Sequence, residues 1–205
     1  MTDKTASIEL LNIDCMEYMK DQPDNAFDLA IVDPPYGIGI SSNPVRQKHE
    51  KKQWDNEIPQ AGYFKELMRV SANQIIWGGN YFFDFLGNTQ GFLIWDKKQP
   101  HDFSLAMCEL AWCSIQKPAK MFRYSVLAEK FKQHPTQKPI KLYDWTLANY
   151  ANEGDKILDT HLGSGSSAIA AHYGGFDFVG CELDEDYFKA AQDRFGRETA
   201  QESLF

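Results

Sequence analysis

The chain reads as an α/β protein built on a mostly parallel sheet. Three observations predict this. Short apolar runs alternate with segments of helical periodicity along the whole length, the rhythm of strand–helix–strand units. One run, Phe27–Asp33, is almost continuously apolar, as a strand buried on both faces must be. Two of the strands run directly into Pro- or Gly-rich turns, at the sheet edge where open α/β folds carry their ligands. With 205 residues, the expected organisation is one domain, 1–205, with a substantial core.

Taken in order, Ser7–Asp14 alternates as a strand, and Met16–Asp21 is a short helix with Asp14 available as its cap. Phe27–Asp33 is the buried strand. Pro59–Val70 is a helix with Tyr63, Phe64, Leu67 and Met68 on one side. Gln74–Trp77 and Phe92–Trp95 are strands, separated by a helical piece around Tyr81–Leu86. Met107–Ile115 is a further strand. Pro139 suits the first turn of a helix running through Leu142, Trp145, Leu147 and Tyr150. Lys156–Asp159 is a strand, and Ser166–Tyr173 a helix closed by Gly174. Phe178–Leu183 is the last strand. Asp184 caps a final helix, acidic in its first turn, which Gly196 ends. Residues 37–58 and 117–133 break the rhythm, and both are rich in Lys and Arg.

The net charge of −8 conceals a division. Residues 1–36 carry 2 basic and 8 acidic groups, 37–141 carry 15 and 9, and 142–205 carry 4 and 12. The total argues against a polyanionic partner, while the basic middle segment is where one would sit. Cys15, Cys108, Cys113 and Cys181 show no metal spacing; Cys108 and Cys113 point to opposite faces of one strand, so free thiols are expected. Apolar runs such as Leu29–Val32 are far short of the ~20 residues of a membrane helix. The first residues form no apolar leader. A cytoplasmic protein without a membrane partner is expected.

Two segments carry chemistry. Lys156–Asp159 is followed by Thr160, His161, Leu162, Gly163, Ser164, Gly165 and Ser166: a strand, a Gly turn, then a helix whose free N–H groups favour an anion. Glu182, at the end of the next strand, can accept hydrogen bonds from a ribose diol. A dinucleotide and S-adenosylmethionine both satisfy this pattern. The second segment is Asp33-Pro34-Pro35-Tyr36. A residue before Pro is held extended, and each Pro fixes its own φ. The Asp33 carboxylate and the Pro34 carbonyl become rigid acceptors at a strand end, matched to a planar exocyclic NH2 group, with Tyr36 beside them to stack on its ring. A dehydrogenase has no use for this tetrad. Read blandly, it is a strand terminator.

Asp33-Pro34-Pro35-Tyr36 resembles the catalytic motif of the amino-group DNA methyltransferases, which methylate adenine N6 or cytosine N4. The tetrad precedes the Gly loop, as in the β-group of that family. Leu11-Asn12-Ile13-Asp14-Cys15 resembles the segment whose acidic residue contacts the cofactor adenine. His134-Pro135-Thr136-Gln137-Lys138-Pro139 resembles the motif before the first cofactor strand. Gln74–Phe82, with Trp77-Gly78-Gly79-Asn80-Tyr81, is similar to small phage and prophage adenine methylases. The resemblance covers nearly the whole chain. It departs at His161, where the family carries Phe.

The resemblance implies a Rossmann-like class I S-adenosylmethionine-dependent methyltransferase fold with a circularly permuted motif order. It implies S-adenosylmethionine as cofactor, with Asp14, Cys15, Thr136, Lys138, Pro139, Asp159, His161, Leu162, Gly163, Ser164, Gly165, Ser166, Glu182 and Leu183 around it. Lys138 is expected near the methionine end. It implies transfer to adenine N6 in double-stranded DNA by Asp33, Pro34, Pro35 and Tyr36, since Asp in first place goes more often with adenine than with cytosine. The base would be flipped from the duplex. DNA contacts are expected from Arg46, Lys48, Lys51 and Lys52 in the first basic segment, and from Lys120, Arg123 and Lys132, among aromatic residues, in the second. With recognition segments this small, a homodimer or a short target site follows, alone or beside a cognate restriction nuclease. The rival readings are a cytosine-N4 enzyme, an RNA methylase, and a silent cofactor- or DNA-binding protein.

Overall fold

The computed structural model describes residues 6–39, 57–100, 106–125 and 137–200. Its centre is an eight-stranded sheet: β1 (Ile8–Leu11), β2 (Phe27–Val32), β3 (Ser71–Trp77), β4 (Phe92–Asp96), β5 (Cys108–Cys113), β6 (Lys120–Arg123), β7 (Lys156–Asp159) and β8 (Asp177–Cys181). The spatial order is β1-β8-β7-β2-β3-β5-β4-β6. All neighbours are parallel except at β5, which runs antiparallel to both β3 and β4. This is the doubly wound arrangement of the Rossmann-like methyltransferase fold, and the chain order reverses between β7 and β2.

Helices cover both faces. They are α1 (Cys15–Lys20), α2 (Ala61–Val70), α3 (Ile140–Tyr150), α4 (Ser166–Gly174) and α5 (Glu185–Thr199). Strand alternation divides the core. Leu29, Ile31, Ile75, Trp77 and Ile157 face Leu142, Leu147, Tyr150, Ala168 and Ala171 of α3 and α4. Ala30, Val32, Ile76, Leu158 and Val179 face Met19 of α1 and Phe64, Leu67 and Val70 of α2. That two-sided burial is why β2 is apolar at consecutive positions.

The structure differs from expectation at several elements. The Tyr81–Leu86 helix is a single 3-10 turn, Gly79–Tyr81, followed by further turns. Pro139 is the residue before α3, extended at ψ 143°, rather than part of its first turn. Gly196 lies inside α5. The ring of Phe195 packs edge-on against His172 at 5.6 Å, and Tyr173 Oη donates to the Glu198 carbonyl; these contacts outweigh the ~1 kcal/mol that an interior Gly costs a helix. The basic stretch 117–133 contains β6, which is paired to β4 from Leu93↔Lys120 to Asp96↔Arg123.

Candidate active site

A cleft of about 770 Å³ opens at the carboxyl edge of the sheet. Ile13–Met16 follow β1, Asp33 and Pro35 follow β2, Thr160–Ser164 follow β7, and Glu182–Asp184 follow β8; all line it. The reversal of strand order between β7 and β2 makes this gap, because chains leave the two strands in opposite directions.

On the β7–β8 side the loop is held by carboxylates. Gly163 and Gly165 have φ of +53° and +74°, a conformation that L side chains rarely adopt. Glu182 Oε2 accepts from Gly163 N at 2.8 Å, and Oε1 from Asp184 N at 3.0 Å. Burial raises its carboxyl, and the backbone N–H groups oppose that rise. Asp159 is buried, accepting from His161 N at 3.0 Å and Ser167 Oγ at 2.6 Å. Burial pushes its carboxyl up to about 7. The His161 imidazole is lowered to about 4 by burial, which makes it a neutral ring. That ring meets Tyr63 edge-on at 5.4 Å, while Nδ1 lies 2.9 Å from Thr160 Oγ1. His161 thus supplies an aromatic wall despite its departure from the family's Phe.

Not every expected cofactor residue reaches the cleft. Cys15, Lys138, His161, Leu162, Gly163, Ser164, Glu182 and the 70 % exposed Leu183 line it, as does Asp14. Asp14 also caps α1 through Met16 N at 2.7 Å. Pro139, Asp159, Gly165 and Ser166 stand behind the wall. A Cβ on Gly165 would meet Ala191 at 3.3 Å, so this glycine answers to α5. Ser166 Oγ donates to the Lys138 carbonyl and accepts from buried Arg194. Burial pushes the Cys15 thiol up to about 12. Thr136 lies outside the described residues.

On the β2 side, Asp33 is the hub. Its Oδ1 accepts from Tyr36 Oη at 2.5 Å, and its Oδ2 from Lys138 Nζ at 2.5 Å. Lys138 Nζ also reaches Tyr36 Oη at 3.1 Å and Glu109 Oε2 at 3.1 Å. The other Glu109 oxygen pairs with Lys97. Lys138 is therefore not held free for the methionine end of a cofactor; its buried ammonium is committed to Asp33. Burial acts to lower the Lys138 ammonium, but Asp33 and Glu109 outweigh it and the group stays charged. Burial raises Asp33 against the opposing pull of Lys138. For Glu109 the contest goes the other way, and the two ammoniums hold its buried carboxyl at about 2.

The Tyr36 ring, expected to stack on the target base, already has aromatic neighbours. One face is stacked on Tyr81, with centroids 5.0 Å apart and planes at 15°. Phe82 meets it edge-on at 6.2 Å. The packing of aromatic rings at the end of β3 explains this contact, with Tyr81 itself still exposed. It also explains Gly78-Gly79, where a Cβ would strike Tyr36 and Trp112 respectively.

Of the expected DNA contacts, Lys120 Nζ donates to Asn149 Oδ1 at 2.6 Å, and Arg123 Nε lies 3.4 Å from Asp96 Oδ2. Phe122 packs against Trp145 at 5.4 Å rather than standing open. Arg46, Lys48, Lys51, Lys52 and Lys132 lie outside the described residues. Sequence reasoning missed Glu109, Lys97, Tyr63 and Arg194. For Glu109 there was a signal: a carboxylate within the apolar run Met107–Ile115 has to be partnered when buried.

Among known proteins, a family model described as DNA methylase matches residues 94–193. YubD of Escherichia coli (strain K12) is 25% identical over 201 residues, spanning 88% of this chain and 87% of YubD. The type II methyltransferase M.HpaI of Haemophilus parainfluenzae is 21% identical, over 92% of this chain and 74% of its own. The M1.HpyAVI–SAM complex superposes with a TM-score of 0.62 at 24% identity, covering 91% of this chain and 99% of the other. The cytosine-N4-specific PvuII DNA methyltransferase superposes with a TM-score of 0.63 at 14% identity, covering 96% and 91%. The tetrad at the end of β2, the Gly loop after β7 and these matches agree: over residues 94–193 the chain is similar to the DNA methylase family, and its fold is that of the DNA methyltransferases named here.

Proposed function

We propose that this protein transfers a methyl group from S-adenosylmethionine to adenine N6 in double-stranded DNA. The observation that carries the reading is the meeting of Asp33, the Gly163 loop and Glu182 in one cleft. The residues fit the cofactor. A Cβ on Gly163 would meet nothing nearer than the His161 carbonyl at 3.8 Å, so the space over the loop is open. Glu182 is anchored by two backbone N–H groups with acceptor capacity to spare for ribose hydroxyls. Asp14 and Leu183 would flank the adenine, and the Gly163 turn the methionine end. The M1.HpyAVI complex contains the same cofactor. When bound, S-adenosylmethionine supplies an electrophilic methyl group on a sulfonium.

The chain's own residues handle the amine. Its lone pair is delocalised into the ring, so it attacks poorly. Asp33 and the Pro34 carbonyl accept its two N–H groups and draw the nitrogen toward a tetrahedral state. Lys138 and Tyr36 take one position on each Asp33 oxygen, which leaves a lone pair on each. The carboxylate then stabilises the positive charge that develops on nitrogen, a preorganised electrostatic effect. Asp33, raised by burial, is also the nearest base for the proton the methylated amine must lose. Tyr81 holds one face of Tyr36, so a flipped base stacks on that face only by displacing Tyr81. Adenine is preferred over cytosine on the resemblance alone: in this motif order a tetrad that begins with Asp goes more often with adenine.

Mass spectrometry of nucleosides from DNA incubated with the protein and S-adenosylmethionine tests the reading. N6-methyladenine is expected. N4-methylcytosine would reassign the base, and unmodified DNA would overturn the proposal.

A further inference from the structure

β5 is the antiparallel strand, so its first residues lie at the carboxyl edge of the other seven. Glu109 is thereby brought to the edge where Asp33 ends β2. Four charges of alternating sign follow: Lys97, Glu109, Lys138 and Asp33. Their side chains are 12 %, 22 %, 3 % and 18 % exposed, so solvent screens them weakly. Lys138 sits between two carboxylates, at 2.5 Å from one and 3.1 Å from the other. Its hydrogen bonds go to Asp33 Oδ2 and Tyr36 Oη, and Glu109 Oε2 pairs with it at the longer distance.

We propose that Glu109 is a positioning residue for methyl transfer: it shares the Lys138 ammonium with Asp33 and so sets how strongly the Asp33 carboxylate accepts the target amine. The proposal rests on the methyltransferase reading above. A carboxylate that carries a whole ammonium is a weaker acceptor for a second donor. An unshared ammonium beside Asp33 would also oppose the positive charge that develops on the amine nitrogen. Glu109 draws part of that charge away, and Lys97 limits how much it draws. The arrangement predicts opposite consequences for removing Glu109 and removing Lys97, which loss of packing alone does not.

Among the described residues, the groups facing Asp33 are Lys138 before α3, Glu109 of β5, Tyr36 beyond β2, and, more distantly, Tyr63 of α2, Tyr143 of α3 and Asp159 of β7. Only the first two are altered or redirected by the variants proposed here. The experiment is a carboxyl 13C NMR titration of Asp33 in cofactor-free wild type, Glu109→Gln and Lys97→Met, beside single-turnover methylation of DNA at saturating cofactor. Removing the Glu109 charge is expected to move the Asp33 midpoint to lower pH and slow transfer by about tenfold or more at neutral pH. Removing the Lys97 charge is expected to move the midpoint to higher pH. Thermal melts and cofactor calorimetry establish that each variant is folded and loaded. Coincident Asp33 midpoints in three folded proteins, with wild type active, would overturn the role of Glu109 and leave the methyltransferase reading standing. An inactive wild type would overturn both.

Discussion

Gly78 lies so close to the Tyr36 ring that a Cβ built on it would fall 2.1 Å from Tyr36 Cε1. Its φ of +70° is also a conformation that only glycine adopts freely. The glycine after β3 and the aromatic after β2 are thus one packing unit, and the tetrad depends on a strand it does not belong to. Gly78→Ala should lower unfolding free energy by roughly 2–4 kcal/mol, combining left-handed strain with overpacking. It should also impair methyl transfer more than cofactor binding, because Tyr36 is displaced and the Gly163 loop is not. Urea unfolding and calorimetry measure the two effects; a wild-type melting curve would contradict the contact.

Asp33→Asn preserves the size of the hub and removes its charge. Cofactor affinity should stay near that of wild type, while single-turnover transfer falls by about a hundredfold or more. Lys138 keeps Glu109 as a counter-ion at 3.1 Å, so the fold should survive. Radiolabelled transfer under single-turnover conditions reads this out. A rate close to wild type would reduce the tetrad to a strand terminator.

Asp159 makes stability depend on pH in a direction unusual for a carboxyl. Its folded value, about 7, lies above that of an exposed Asp. Between roughly pH 4 and 7 the folded state therefore binds more protons than the unfolded one, and stability falls as pH rises through that window. His161, lowered to about 4, acts oppositely: its contribution is complete above the ordinary histidine range and is lost as pH falls. Comparing wild type with Asp159→Asn isolates the carboxyl, since both retain His161. The Asn variant should gain in relative stability with rising pH over the window. Denaturation at several pH values measures the difference, and a flat difference would refute the burial argument.

DNA contact should show in the salt dependence of binding. Lys51→Ala with Lys52→Ala is expected to flatten the log–log salt slope by up to ~0.9 per lost phosphate contact, on target and random duplexes alike. Arg123→Ala should flatten it less, because Asp96 already lies 3.4 Å from its guanidinium. Affinity titrations at several salt concentrations distinguish these outcomes. An unchanged slope for the lysine pair would mark them as a solvated face and move the DNA surface toward Lys120.

The sequence by itself determined what is local. Apolar continuity in Phe27–Val32 marks a strand buried on both sides. The two prolines mark its end. Asp184 and the acidic turn after it mark the start of α5, and Gly163 and Gly165 mark a turn that no other residue makes easily. Each depends on backbone rules acting over a few residues. What only the tertiary structure decided is which distant groups meet. Lys138 and Asp33 are 105 positions apart, and whether that ammonium serves a ligand or a carboxylate is set by the approach of α3 to β2. Glu109 reaches the same edge because β5 runs antiparallel, a direction that its own six residues do not encode. Gly196 stops no helix because Phe195 and Glu198 have partners on α4. A local propensity of ~1 kcal/mol yields to contacts of that size, and the sum of such contacts is visible only once the chain is folded.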